Sequence, residues 1–203
     1  MIKTIIFDFG DVFINLDKSA TPTNLAKHGI TKLPSHLANK NLQYEKGNLD
    51  SDTFIKEYQQ TFTKLEKDEF LNAWNSILVD FPKYRLDFLK KLAASKQYLL
   101  ILLSNTNEIH IDWVRENVEF FEEFKACFDA FYLSYEINFR KPDANIYEFV
   151  LKQHQLSAEE CLFIDDTKEN IETADKLGIK TWNINPEKED VINLFSVKKD
   201  LFQ

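Results

Sequence analysis

Six polar residues stand at or just past the ends of four apolar runs. They are Asp8 in TIIFDF (4–9), Ser104 and Asn105 at the close of YLLILLS (98–104), Lys141 beyond AFYLS (130–134), and Asp165 with Asp166 at the end of CLFID (161–165). If the runs are neighbouring strands of one parallel sheet, these residues converge on the rim where such sheets bind ligands, beyond the carboxyl ends of the strands. Three carboxylates gathered there repel one another and require protons or a cation. Magnesium suits the set, because it takes hard oxygen ligands, uses one or two protein carboxylates and keeps positions for water and a substrate phosphate. Lys141 and the Ser104/Asn105 donors could then bind the remaining phosphate oxygens. The residue types therefore point to metal-assisted phosphoryl transfer.

The elements that must position these groups can be read from periodicity. The four runs are short, apolar and rich in β-branched or aromatic residues, as buried strands are, and IKTWNI (179–184) is a fifth, weaker candidate. Between the later runs lie segments of helical spacing, among them IYEFVLKQH and NIETADKL, the latter stopping just before Gly178. Alternating strands and helices predict an α/β class with a parallel sheet covered by helices on both faces. The interval from 10 to 97 far exceeds a crossover. It contains DSDTFIKEYQQTF, with Ser51 or Asp52 as the expected cap and Phe54, Tyr58 and Phe62 on one stripe, and KDEFLNAWNSIL, which aligns Phe70, Trp74 and Ile77. A small helical cap over residues 15–81 is expected, inserted into a core made of 1–14 and 82–203, the alternative being that these helices merely extend the core. FPKYRLDFLKKLAAS (81–95) reads as the helix returning to the second strand.

Bulk properties narrow the partners. With 25 basic and 33 acidic residues the chain carries a net charge of -8, which opposes attraction to nucleic acid or an anionic membrane surface. The two cysteines, Cys127 and Cys161, lack CxxC spacing and read as buried free thiols. No uncharged apolar run approaches the ~18 residues of a membrane span, so a cytoplasmic protein acting as monomer or homodimer is expected.

The stretches IIFDFG, LLSNTN, RKPDANIY and LFIDDTKENIETADKLGI, in that order, resemble the four motifs of the haloacid dehalogenase-like (HAD) hydrolases over nearly the whole chain, from Ile5 to Ile179. They are close to the branch that contains α-D-glucose-1-phosphate phosphatases. The resemblance implies a Rossmann-like sheet with a helical cap inserted after the first motif, and a Mg²⁺-dependent phosphatase acting on a small phosphorylated metabolite such as a sugar phosphate through an aspartyl-phosphate. In that scheme Asp8 is the nucleophile, and Asp8, the backbone carbonyl of Gly10, Asp165 and Asp166 hold the metal. Ser104, Asn105 and Lys141 bind the phosphoryl group, with Lys141 neutralising its charge.

Gly10 departs from the family pattern, in which a second Asp two residues after the nucleophile moves the proton. The glycine itself suggests a positive φ or a close backbone approach. Asp11 is the nearest substitute in sequence, although a turn-capping role competes for it, and Asp17 reads as a cap of the first inserted helix or a surface residue. The departure leaves two alternatives: a metal-independent haloacid dehalogenase, against which the Asp165/Asp166 pair argues, and a non-catalytic homologue that binds phosphorylated ligands or a protein. Asn170 is a candidate for orienting the last loop. His28, His36, His110 and His154 lack ligand spacing and read as surface or packing residues, as Tyr44, Phe54 and Trp74 read as packing within the insertion or lining of its pocket.

Overall fold

The computed structural model describes residues 1–202, and in it the apolar runs pair as strands whose alternate side chains enter two different layers. The strands are β1 (Thr4–Phe7), β2 (Leu99–Ser104), β3 (Ala130–Leu133), β4 (Cys161–Asp165) and β5 (Lys180–Asn183). All pairings are parallel, in the order β3-β2-β1-β4-β5. Ile5, Phe7, Leu100, Leu102, Leu162 and Ile164 face one layer, and Ile6, Ile101, Leu103, Cys161 and Phe163 face the other. A one-residue slip would exchange the two sets, so burial on both faces fixes the register. Each fully buried side chain of this size contributes about 1.5–3 kcal/mol.

Helices follow the strands in turn. The insertion holds α1 (Ala20–Lys27), α2 (Ser35–Glu45), α3 (Ser51–Thr61) and α4 (Lys67–Asn75). After it come α5 (Lys83–Ser95), α6 (Glu108–Asn117), α7 (Phe121–Lys125), α8 (Ser134–Ile137), α9 (Ala144–Gln153), α10 (Lys168–Lys176) and α11 (Leu194–Val197). Leu86 and Leu89 of α5, Val114 of α6 and Phe124 of α7 cover the first face of the sheet, while Ile146 and Val150 of α9 and Ala174 of α10 cover the second.

The four inserted helices share a second hydrophobic cluster, which Ile109 of α6 joins. Its centre is Phe54, stacked on Tyr44 at 4.1 Å between ring centroids and edge-on to Trp74 at 5.0 Å. Two linkers lead in and out side by side: Leu16 and Leu78 form an antiparallel bridge, Asn15 N–H donates to the Asp80 carbonyl at 2.8 Å, and Asp17 N–H donates to that of Ile77 at 2.8 Å.

Several local expectations shift. Asp50, rather than Ser51 or Asp52, caps α3, its carboxylate accepting from Thr53 N–H at 2.7 Å; the aspartate one residue earlier has the extended backbone a cap needs. Phe62 and Ile77 fall outside their helices and are only half-buried. Asp17 closes a turn onto Ser19 instead of capping α1 directly, and those hydrogen bonds hold its carboxyl below the usual range. Cys161 is buried, whereas Cys127 is only half-buried, on the first residue past α7 but one. Among the described residues no helix is long and apolar enough to cross a membrane.

Candidate active site

The carboxyl ends of β1, β2 and β4 and the loop between α8 and α9 meet at one rim, and the sequence-predicted residues come together there. Asp8 directly follows β1, its N–H donating to the Ile164 carbonyl at 2.9 Å, so its position is tied to β4. Lys141 Nζ lies 2.8 Å from Asp8 Oδ1 and 2.7 Å from Asp165 Oδ2. Lys141 and Asp165 are fully buried and Asp8 is nearly so. Burial chiefly raises the pKa of Asp8, to about 7; Lys141 pulls it down, and the charges of Asp165 and Asp166 push it further up. For Lys141 burial works toward the neutral amine, but the charges of Asp165 and Asp8 outweigh it and raise the pKa, so the ammonium persists. The Lys141 ammonium also sits 5.2 Å from the centre of the Phe163 ring.

Asp165 is held on all sides. Asn170 Nδ2 donates to both of its oxygens, at 3.1 and 3.0 Å, and Thr167 N–H to Oδ1 at 2.8 Å. The orienting role expected of Asn170 is thus visible in its contacts. Asp166 is more open: its Oδ2 meets Lys18 Nζ at 2.6 Å, and it lines a cavity of about 440 Å³ together with Asp8, Gly10, Asn105 and Lys141. Asp8, Asp165 and Asp166 present oxygens that all lie within 4.8 Å of one another. A hard-oxygen set of this size, countered by the Lys141 and Lys18 ammonium groups, fits a small divalent cation such as Mg²⁺.

Ser104 and Asn105 occupy different surroundings. The Asn105 side chain grips the Lys141 peptide, Oδ1 accepting from its N–H at 2.9 Å and Nδ2 donating to its carbonyl at 2.8 Å. That amide fixes the Lys141 loop, using one of the two N–H donors on Nδ2. Ser104 is buried at the end of β2 and lines a smaller cavity of about 130 Å³ beside Gly10 and Leu16. The cap of α6 is Asn107, whose Oδ1 accepts from His110 N–H at 3.1 Å.

At Gly10 the positive φ is absent and falls on Asp11 instead, at 54°. A Cβ built on Gly10 would lie 2.7 Å from Leu16 Cδ1, so the leucine side chain fills that space. Asp11 is fastened away from both cavities, Oδ1 accepting from Leu16 N–H at 3.0 Å and Oδ2 pairing with Lys18 at 2.9 Å. Lys18 was not legible in the sequence, because a lone lysine in a polar linker has no spacing signal; its partners, Asp11 and Asp166, become neighbours only in the fold. Their hydrogen bonds and charges outweigh its partial burial and raise its pKa. Arg140 was also hidden, and its Nε bonds Glu45 Oε2 of α2 at 2.5 Å across the cavity mouth.

Comparison with known proteins gives the arrangement a lineage. The family model of the haloacid dehalogenase-like hydrolases matches residues 2–178. The chain belongs to this family. Among HAD proteins it is 31% identical over 192 residues to the D-ribitol-5-phosphate phosphatase of Bacteroides thetaiotaomicron, covering 90% of this chain and 91% of that one. The magnesium complex of the HAD family enzyme BT-2542 from the same organism superposes with a TM-score of 0.86 at 36% identity, covering 96% and 98% of the two chains. BT-2542 is also known in complex with magnesium and inorganic phosphate. A HAD-like hydrolase from Porphyromonas gingivalis superposes at 0.84 with 26% identity, covering 100% and 99%. None of these three is named for α-D-glucose 1-phosphate, the branch that the motifs resemble.

Proposed function

We propose that this protein is a Mg²⁺-dependent phosphatase that hydrolyses a small phosphorylated polyol or sugar through an aspartyl-phosphate on Asp8. The observation that carries the reading is the pairing of Asp8 with Lys141 at 2.8 Å beside an oxygen cluster suited to a divalent cation. The names and bound species of the relatives support it: a ribitol-5-phosphate phosphatase, and an enzyme that takes up magnesium and phosphate. Asp8, the Gly10 carbonyl and Asp166 would hold Mg²⁺ directly. Asp165, already saturated by Lys141, Asn170 and Thr167, supports the site from behind. Bound there, the metal would neutralise the phosphate and the developing charge of the transition state.

The chain's own residues do the rest. Asp8 Oδ attacks phosphorus in line with the departing oxygen, and water later cleaves the acyl phosphate. Lys141, kept charged by two carboxylates, stabilises the phosphoryl oxygens as charge gathers on them. Ser104 and the main chain at Asn105 supply further donors. The helical unit, residues 15–81, acts as a cap over the core of 1–14 and 82–203, shaping the mouth of the cavity through Leu16, Lys18 and Glu45. The polar mouth favours a hydroxylated leaving group over an apolar one.

The test is phosphate release from a panel of pentitol, sugar and other small phosphate esters, with and without Mg²⁺. The reading expects Mg²⁺-dependent turnover, with the acyclic and sugar phosphates leading. Halide release from a haloacid without metal, or folded metal-bound protein inert to every ester, would contradict it.

A further inference from the structure

The proton left without a holder at Gly10 has a candidate on the insertion. We infer that Glu45, at the end of α2, is the general acid and base of this site, a role that rests on the phosphatase reading above. Three observations converge on it. First, Leu16 occupies the space that a side chain at position 10 would need, its Cδ1 being 2.7 Å from the Cβ that would have to be there. Second, Asp11 is committed to Leu16 N–H and Lys18 and lines neither cavity. Third, Glu45 lines both the larger cavity that holds Asp8 and Lys141 and the smaller one that holds Ser104, and Gly10 also borders both. Glu169, the other carboxylate free of the metal cluster on that surface, borders the larger cavity alone.

Glu45 is placed by firm contacts. Arg140 Nε holds its Oε2 at 2.5 Å, and the same guanidinium donates through its Nη1 to the Lys141 carbonyl at 2.8 Å. A single residue thus links Glu45 to the peptide of the lysine that touches Asp8. The end of α2 is fastened to the same core segment: Lys46 pairs with Asp143 at 2.8 Å, and Asn138 Nδ2 donates to the Lys46 carbonyl at 2.8 Å. Gly47, at φ 70°, packs so closely that a Cβ would lie 2.0 Å from the Tyr135 carbonyl oxygen. No other hydrogen bond engages the Glu45 side chain among the described residues, so Oε1 is available to a leaving group or water.

The steps balance. As an Asp8 oxygen bonds to phosphorus and the ester P–O bond breaks, protonated Glu45 delivers its proton to the departing oxygen. In the second step a water oxygen bonds to phosphorus, the acyl-phosphate P–O bond to Asp8 breaks, and the water's proton passes to Glu45, restoring the acid.

The experiment uses the full chain with Mg²⁺, an aryl phosphate and a pentitol phosphate, comparing wild type with Glu45→Gln. An aryl leaving group departs without a proton, so the variant should release about one phenol per site in a burst, then turn over at least ~100-fold more slowly than wild type. Acid-quenched variant should retain the phosphoryl group on Asp8 after the aryl phosphate, whereas with the pentitol phosphate, whose leaving oxygen needs the proton, it should show no burst. If Glu45→Gln does not fold by circular dichroism, Glu45→Asp replaces it, with the same burst and a smaller slowing expected. Aryl turnover at the wild-type rate with only a raised KM for the pentitol phosphate would make Glu45 a recognition residue and overturn the inference. Wild type inert to all phosphate donors would instead overturn the phosphatase reading itself.

Discussion

Asp8 illustrates how much of this site depends on burial. A carboxylate whose folded pKa is raised to about 7 from an ordinary value of 3.8 binds a proton in the folded state that the unfolded chain has released. Between those two values the folded protein therefore carries more protons, and this group's contribution to stability falls as pH rises, reaching its full penalty above about pH 7. Replacing Asp8 by Asn removes the penalty. The metal-free Asp8→Asn protein should melt several degrees above wild type at pH 8, at roughly 2–4 °C per kcal/mol for a chain of this size, and the gap should narrow by pH 5. A gap that widened on acidification would show that Asp8 is held ionised by Lys141. The residue's place at the rim was legible because an acid ending an apolar run is an unusual use of a strand end. The wiring of its neighbours was not: Lys18, Glu45 and Arg140 lie in polar segments where charge is the ordinary expectation, and only folding brings them to the site.

At the scale of elements, two connections decide whether the site is assembled. The loop after β1 is pinned by Arg85 of α5, which is buried and donates to the Phe13 carbonyl at 3.1 Å and to Asn15 Oδ1 at 2.8 Å while pairing with Asp190 at 3.1 Å. Asp190 is only partly buried and keeps the Tyr84 O–H and Ile192 N–H as donors, so removing Arg85 chiefly strips the buried Phe13 carbonyl of its partner, which costs about 1–3 kcal/mol. Arg85→Ala should therefore lower the urea midpoint markedly with little change in slope, and a shift below 1 kcal/mol would mean that the loop holds without it. The other connection joins α4 to α6. His110 stacks on Trp74 and its Nε2 meets the Trp74 carbonyl at 3.2 Å, and burial pushes its pKa down to about 4, so it is neutral near pH 7. The strands and long amphipathic helices were readable because burial imposes period 2 or 3.6. The first inserted helices were not, since ATPTNLAK and SHLANKNLQYE carry few apolar residues, and α2 in particular passed unseen although it delivers Glu45. Cap positions slipped by a residue, because DSD offers three adjacent capping side chains and backbone conformation alone chooses among them.

The whole molecule joins a parallel sheet to an inserted set of helices, and the proposed reaction site lies where the two meet. Strand ends supply Asp8, Ser104, Asp165 and Asp166, the loop between α8 and α9 supplies Lys141, and the insertion supplies Leu16, Lys18 and Glu45. Four motifs separated by up to ninety residues could be recognised as one site because a parallel sheet brings every strand's carboxyl end to the same side. The insertion's contribution was recognisable only as an excess of chain between β1 and β2. In the proposed metal-dependent cycle Asp8 carries the phosphoryl group. Acid quenching during turnover of a phosphate ester, followed by mass spectrometry of the peptide that contains residue 8, tests this step. A phosphoryl group on Asp8 should appear with Mg²⁺ and be absent after chelation and in Asp8→Asn; steady Mg²⁺-dependent hydrolysis with Asp8 never labelled, or undiminished in Asp8→Asn, would contradict the mechanism.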